Sequence, residues 1–303
     1  MTQDRPLIGI SLMLGFCILT PVGDAAAKLL GELMPLVVLV FFRFSIQALI
    51  LVPIVALTAR PWRMPARLTK LMVARTLLHI VGISAMFGAL KFLPLADAIA
   101  IAFVMPFILL MLGRYFLNEE VGSRRLAACV VGFVGTLLVI QPSFVEVGLP
   151  ALLPLIVAVV FALFMLVTRK LAKETDPIAL QAVSGVLASV LLLPALLIWI
   201  DDPLQALTKD LDSGTFLMLL AIGVIGTLAH LLMTWSLRYA PSTTLAPMQY
   251  LEIPVATLIG WLIFRDLPNG LAAVGIAITI AAGLYVILRE RAIARNGPTE
   301  TPA

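Results

Sequence analysis

The sequence predicts an all-α integral membrane protein of ten transmembrane helices, built as two inverted five-helix repeats. Apolar residues make up 61% of the chain and charged residues 13%, with a mean hydropathy of +1.09. A soluble domain holds roughly 45–50% apolar residues, so the excess must face lipid. The apolar residues fall into ten runs near the length of about 20 that a bilayer-crossing helix needs, without the alternation of barrel strands. The third observation is internal similarity. A shift of 147 lays Lys91, Phe92, Pro94, Gly113 and Glu119 on Arg238, Tyr239, Pro241, Gly260 and Asp266; a shift of 148 lays Pro106, Gly122 and Gly135 on Pro254, Gly270 and Gly283. A shift of 142 sets Lys28, Leu29, Glu32 and Pro35 on Lys170, Leu171, Glu174 and Pro177. Such matches predict a duplication, and a unit of five spans is odd, so its second copy enters the membrane from the opposite face.

Taken in order, the first repeat (residues 1–142) holds expected spans at 7–27, 36–57, 71–90, 95–116 and 126–140. The first run has only Arg5 before it and no small-residue cleavage site after it, so it is expected to stay as a helix. Pro35, Pro61 with Pro65, Pro94 and Pro142 punctuate the joints. The second repeat (143–290) holds spans at 149–168, 178–200, 216–237, 244–264 and 271–288, divided by Pro177, Pro203, Pro241 and Pro268. Residues 291–303 read as a disordered cytoplasmic tail. Cys17 and Cys129 lie inside apolar runs with no metal or redox spacing and read as small core residues.

Loop cations set the orientation. Arg5, Arg60, Arg63, Arg67, Lys70, Arg124, Arg125, Arg169, Lys170, Lys173, Arg238, Arg289, Arg291 and Arg295 fall on the N-terminal side, against Lys28, Lys91, Lys209 and Arg265 opposite. Both termini are therefore expected in the cytoplasm, with the acidic loop of Asp201, Asp202, Asp210 and Asp212 outside. Arg75 and Arg114 lie in helices close enough to the cytoplasmic face to serve as snorkelling anchors. The net charge of +4 follows from topology, since no basic patch interleaved with aromatics suits nucleic acid.

The candidate site centres on Glu252, eight to ten residues into the ninth span and so near the bilayer midplane, where an ionised carboxylate costs at least about 3 kcal/mol uncompensated. Pro254 frees a backbone carbonyl one turn earlier. Glu252 is a candidate for binding a cationic group or carrying a coupling proton, against a packing role as a protonated acid. Gln249 and Tyr250 add an amide and a phenol beside it. Trp235, like Trp261, reads either as a stacking surface or as an interfacial anchor. Arg43 and Gln47 stand one turn apart on one face, with Asp24 or Asp97 as partners for an ion pair or gate; a clamp on a substrate carboxylate is the other reading. His79 and His230, the only histidines, occupy corresponding helices, as packing residues or proton carriers. Pro106, Pro254, Gly113 and Gly260 are candidate hinges. There is no phosphate-binding loop, no H-E-x-x-H, no G-x-S-x-G and no His/Cys cluster, so neither an enzyme, a metal nor a cofactor is expected.

From 7 to 288, the ten spans, short loops and the Pro, Gly and acid elements resemble the EamA branch of the drug/metabolite transporter superfamily. The specific elements are Pro106, Gly113 and Glu119 in one half, and Glu252, Pro254, Gly260 and Asp266 in the other; Ile253 stands between the glutamate and its proline. The resemblance implies a bacterial inner-membrane secondary carrier with a central cavity between the halves. Family substrates include amino acids and other metabolites for export, and S-adenosylmethionine or riboflavin for uptake. Small-residue stretches at 132–136 and 275–283 allow close helix approach, within the monomer or in a homodimer.

Overall fold

The computed structural model describes residues 5–140, 148–200, 212–265 and 270–296. Among them stand ten helices: α1 (Pro6–Gly31), α2 (Leu36–Leu57), α3 (Ala66–Leu90), α4 (Leu95–Leu117), α5 (Ser123–Ile140), α6 (Leu153–Glu174), α7 (Pro177–Trp199), α8 (Ser213–Tyr239), α9 (Ser242–Phe264) and α10 (Gly270–Asn296). Eight of these, all but α5 and α10, are long and apolar enough to cross a membrane. Asp266, Pro142, Pro203, Pro268, Lys209, the loop acids Asp201, Asp202 and Asp210, and the tail from 297 lie outside the described residues. Three boundaries differ from the sequence reading. The last helix runs to Asn296, taking up residues expected in the tail; α3 begins at Ala66 and not at 71; and α6 continues to Glu174, so Arg169 is a helical residue and not a loop cation.

Proline starts many of these helices because its fixed φ suits entry and its missing N–H falls where no helical partner exists. Pro35, Pro65, Pro94 and Pro241 stand directly before α2, α3, α4 and α9. Asp176 caps α7 by accepting from the Ile178 and Ala179 amides at 3.0 Å each. Asp212 caps α8 through the Thr215 amide at 2.8 Å, and the bonds from Thr215 hold its carboxyl below the ordinary value.

Helices α4 and α9 are the irregular ones. α4 breaks at Phe103 and Val104, one turn short of a continuous rod, and resumes at Met105 with Pro106 in second place. α9 opens as a single α-turn (Ser242–Leu245), tightens into a 3-10 stretch (Ala246–Leu251), returns to α (Glu252–Ile259) and widens into a π-turn (Gly260–Phe264). Both end on a left-handed residue, Asn118 at φ 52° and Arg265 at φ 63°, whose amides bond back to the carbonyls of Gly113 and Gly260 respectively. These termini are 147 positions apart, the same shift that relates the halves in sequence.

The packing follows the same relation. The most extensive pairings are α1 with α8, α2 with α7, α5 with α10 and α3 with α6. Exchanging each helix with the one five places on turns α1–α8 into α6–α3 and returns α2–α7 and α5–α10 to themselves. Small residues enable the close crossings. A Cβ on Gly135 would lie 2.8 Å from the Gly275 carbonyl, and one on Gly132 would lie 2.5 Å from Cδ2 of Tyr250. The stretches expected to allow a dimer are thus used inside the protein. Tyr250 is seated against α5, its hydroxyl donating to the Cys129 carbonyl at 3.1 Å.

Each end of the bundle is tied by a cation from the first helix of a repeat. Arg169 of α6 pairs with Glu119 at 3.2 Å and donates to the Leu237 and Arg238 carbonyls, at 2.6 and 3.2 Å, where α8 turns into α9. Glu119 also accepts from the Ser242 hydroxyl at 2.6 Å and the Thr243 amide at 3.0 Å, capping α9 from the end of α4. At the other end Lys28 of α1 donates to the Leu93 carbonyl at 2.5 Å, where α3 turns into α4, and lies 5.3 Å from the Phe264 ring at the end of α9. Each tie joins the two repeats.

Two outcomes test this packing. Glu119→Gln removes a negative charge paired with Arg169, which is 3% exposed, and is expected to cost about 1.5–3 kcal/mol, read as a lower thermal midpoint in detergent. An unchanged midpoint would remove the tie. Gly132→Val drives a side chain into the Tyr250 ring and is expected to cost about 1–3 kcal/mol by the same measurement, whereas Tyr250→Phe forfeits only about 1 kcal/mol with its hydrogen bond.

Candidate functional site

The core of the bundle holds a line of ionisable and amide side chains from six helices. α1 contributes Asp24, α2 Arg43 and Gln47, α3 Arg75 and His79, α7 Gln181, α8 His230 and α9 Glu252. All are 5% exposed or less, so they are shielded from solvent.

Arg43 is the junction. Its Nη1 donates to Gln47 Oε1 at 2.9 Å, one turn further along α2, and its Nη2 lies 3.2 Å from His230 Nδ1 on α8. The guanidinium reaches α8 because residue 226 has no side chain: a Cβ there would collide with Arg43 Nε and Cζ. His230 Nδ1 also sits 2.9 Å from the Gly226 carbonyl, so its tautomer decides whether it donates there or accepts from Arg43. Gln47 passes the chain on, donating to the Gln181 carbonyl at 2.7 Å, while Gln181 donates to the His230 carbonyl and to Thr234 Oγ1, each at 2.9 Å. In a bilayer such bonds hold helices together, because lipid offers the groups no alternative partner.

His79 and His230, expected only to occupy corresponding helices, face each other with ring centroids 4.4 Å apart. Aromatic rings wall this pair: His79 stacks on Phe164 at 4.5 Å and meets Phe44 edge-on at 4.9 Å, and His230 meets Phe16 edge-on at 5.8 Å. On the acidic side, Asp24 lies within electrostatic reach of both Arg43 and Glu252. Cys17, one turn of α1 and more below Asp24, contacts the Met248 carbonyl at 3.9 Å, which fixes α1 beside the irregular part of α9.

Not every candidate joins this line. Gln249 is buried in α9 and donates to Met165 Sδ at 3.1 Å, its Oε1 unpartnered. Tyr250 points to α5, as described above. Trp235 packs half-buried with Leu51, Val55 and Ala179 in a separate cluster between α2, α7 and α8. Of the candidate hinges, Pro106 follows the break in α4, Pro254 follows the 3-10 stretch of α9, and Gly260 opens the π-turn with free space where a Cβ would stand. Gly113 instead lies against the tie, where a Cβ would be 2.7 Å from Ser242 Oγ.

Three members were not foreseen in these positions. Gln181 is a single amide within an apolar run and gave no spacing signal. Thr168 accepts from Arg75 Nε at 2.8 Å. Arg75 itself is a correction: the expected snorkelling anchor is fully buried, its guanidinium 4.6 Å from the Phe164 ring, because α3 begins at Ala66 and places residue 75 more than two turns inside. Among the described residues no group of His, Cys, Asp and Glu is arranged to hold a metal.

Buried polar atoms without partners mark what the line is open to. Within the line they include Asp24 Oδ2 on α1, Arg75 Nη1 and Nη2 and both nitrogens of His79 on α3, and Nε2 of His230 on α8; outside it stand Gln249 Oε1 and Thr244 Oγ1 on α9.

The sequence profile of the EamA-like transporter family matches residues 7–141 and again 148–289. The chain is 26% identical to an S-adenosylmethionine uptake transporter of Rickettsia bellii, over 94% of each chain, and 29% identical to a riboflavin transporter of Rhizobium johnstonii, over 82% of this chain and 78% of that one. A pseudopaline exporter of Pseudomonas aeruginosa is 24% identical over 90% and 91%. A crystal structure of a protein 17% identical in sequence superposes with a TM-score of 0.71 over 95% of this chain and 98% of that one, a likeness of fold. With both halves matched, the chain belongs to the EamA-like transporter family of the drug/metabolite transporter superfamily, a multi-pass membrane transporter of two EamA domains and not an enzyme.

Proposed function

We propose that the protein is a secondary transporter of small amino acid-like metabolites in the bacterial inner membrane, working by alternating access between two inverted five-helix repeats. The observation that carries this reading is the set of unpartnered ionisable groups in the core. Asp24, with Glu252 in electrostatic reach, suits an ammonium or other cationic group; nitrogens at Arg75, His79 and His230 suit a carboxylate. A substrate carrying both charges compensates both sides at once, and the phenylalanine walls suit its apolar part.

The pairing of helices under exchange of the halves, the meeting of the two histidines and the two end ties all support a two-fold axis between the repeats. With five spans in each, that axis lies in the membrane plane, making ten spans with α5 and α10 included. Opening one tie while the other holds is the rocking step. The excess of cations on the N-terminal side supports cytoplasmic termini. Glu252 with Asp24 serves as the coupling pair: two acids in mutual reach do not both stay charged in a low-dielectric core, so taking up a proton or a cationic substrate satisfies the same need. Export is the direction favoured for a general metabolite carrier; a second reading, uptake of a cofactor such as S-adenosylmethionine or riboflavin, is favoured by the relatives at 26% and 29% identity. No dimer is needed for the site, which is complete within one chain.

The test is a counterflow screen in proteoliposomes with labelled amino acids, S-adenosylmethionine and riboflavin, followed by accumulation of any hit under an imposed pH gradient. Glu252→Gln is expected to abolish gradient-driven accumulation, at least tenfold, while exchange at equilibrium persists. Wild-type accumulation by that variant would take the coupling role from Glu252. Asp24→Asn is expected to weaken recognition of the cationic group, raising KM for charged substrates more than for riboflavin.

A further inference from the structure

Arg75 and His79 on α3 repeat what Arg43 and His230 form around α8. Both histidines stand four residues after a position next to a guanidinium: His79 after Arg75 itself, and His230 after Gly226, over which Arg43 lies. The two arginines differ in what they are given. Arg43 has the Gln47 amide, His230 and the charge of Asp24. Arg75 has one neutral hydrogen bond, from Nε to Thr168 Oγ1, and the face of Phe164; both terminal nitrogens lack a partner, and no described carboxylate acts on it. Thr168 does not depend on that bond, since its hydroxyl also reaches the Phe164 carbonyl at 2.6 Å.

A guanidinium with no exposed surface inside a membrane-spanning helix is not retained for its packing alone, because an apolar side chain of that volume would fill the space without the cost of burying charge. Its Nε is fixed by Thr168 and its plane by Phe164, which leaves the Nη1–Nη2 edge held in one orientation. That edge has the spacing of a carboxylate. His79, one turn further along α3, stacks on the same phenylalanine, with both ring nitrogens free to contribute one donor and one acceptor.

We propose that Arg75, steadied by Thr168 and Phe164 and assisted by His79, is the subsite that takes the carboxylate of the transported molecule, and that Arg43 is instead a fixed structural cation balanced by Asp24. This rests on the reading of the core as a substrate site, and it names which of the two arginines recognises the anion. The substrate supplies the counter-charge that the protein withholds from Arg75, so the site selects for a carboxylate by leaving one cation unbalanced until it arrives.

The test is thermal and requires no flux, which keeps it separate from the transport assay. Wild type, Arg75→Met and Arg75→Lys are purified in a neutral detergent and unfolded in sodium chloride and, at equal ionic strength, in sodium acetate. Without acetate, Arg75→Met is expected to unfold about 2–4 °C above the wild type, since it removes an unbalanced charge and keeps the volume. Acetate is expected to raise the wild-type midpoint over chloride, to raise that of Arg75→Lys less, and to leave Arg75→Met unmoved. An Arg75→Met midpoint at or below the wild type, or failure of that variant to fold, would mean that the guanidinium is structural and would overturn the proposal. Acetate protection equal in all three proteins would do the same. The expected thermal pattern together with a negative counterflow screen would count against the transport substrates tested and not against the subsite.

Discussion

The organisation of this protein turns on taking charged side chains into a bilayer without water to solvate them. Each ion in the core has to be matched by a neighbour or by a visitor, and the geometry distributes these roles unevenly. Arg43 is matched several times over, by Asp24, Gln47 and His230, and in reaching them it crosses from α2 to α8 over Gly226. That single crossing draws α1, α2, α7 and α8 into register. Glu252 and Arg75 are left for a ligand or a proton to complete. Stability and recognition therefore draw on the same residue types but on different members of them.

Duplication supplies the frame of the packing. Equivalent helices meet at the centre, where His79 touches His230, and a cation from the first helix of each repeat reaches across at each end, Arg169 to the turn before α9 and Lys28 to the turn before α4. Interlocking rings hold the middle of the bundle, and ionic or hydrogen-bonded ties hold its two ends.

Much of the fold was legible from periodicity and shift alone, because a membrane leaves helices as the only option and proline marks their starts. The ten helices, the two halves and the burial of Glu252, Arg43, Gln47, His79 and His230 within the bundle follow from that logic. What was not legible depended on bearing instead of depth. Arg75 counted as near the surface because α3 was begun five residues late, at 71 instead of Ala66. Arg169 counted as a loop cation for the same reason at the end of α6. Tyr250 and Gln249 were grouped with Glu252 by adjacency, yet the phenol turns to α5 and the amide to Met165 of α6. Gln181 carried no pattern at all, since one amide in an apolar run says nothing of its partner until α2 is laid across it.

The six-residue 3-10 stretch of α9 has a consequence for Glu252, which follows it directly. At three residues per turn, six residues complete two revolutions, where an α-helix would make about 1.7, so the carboxylate is over-rotated by about 120°. The same stretch is about 3 Å longer than its α-helical equivalent, at about 2.0 instead of 1.5 Å per residue. Rewinding it to α would therefore move Glu252 along a screw path, turning it by a third of a circle while drawing it toward Ser242. A carboxylate mounted on such a thread would exchange one set of neighbours for another without its backbone leaving a helical form, which a lipid surrounding tolerates.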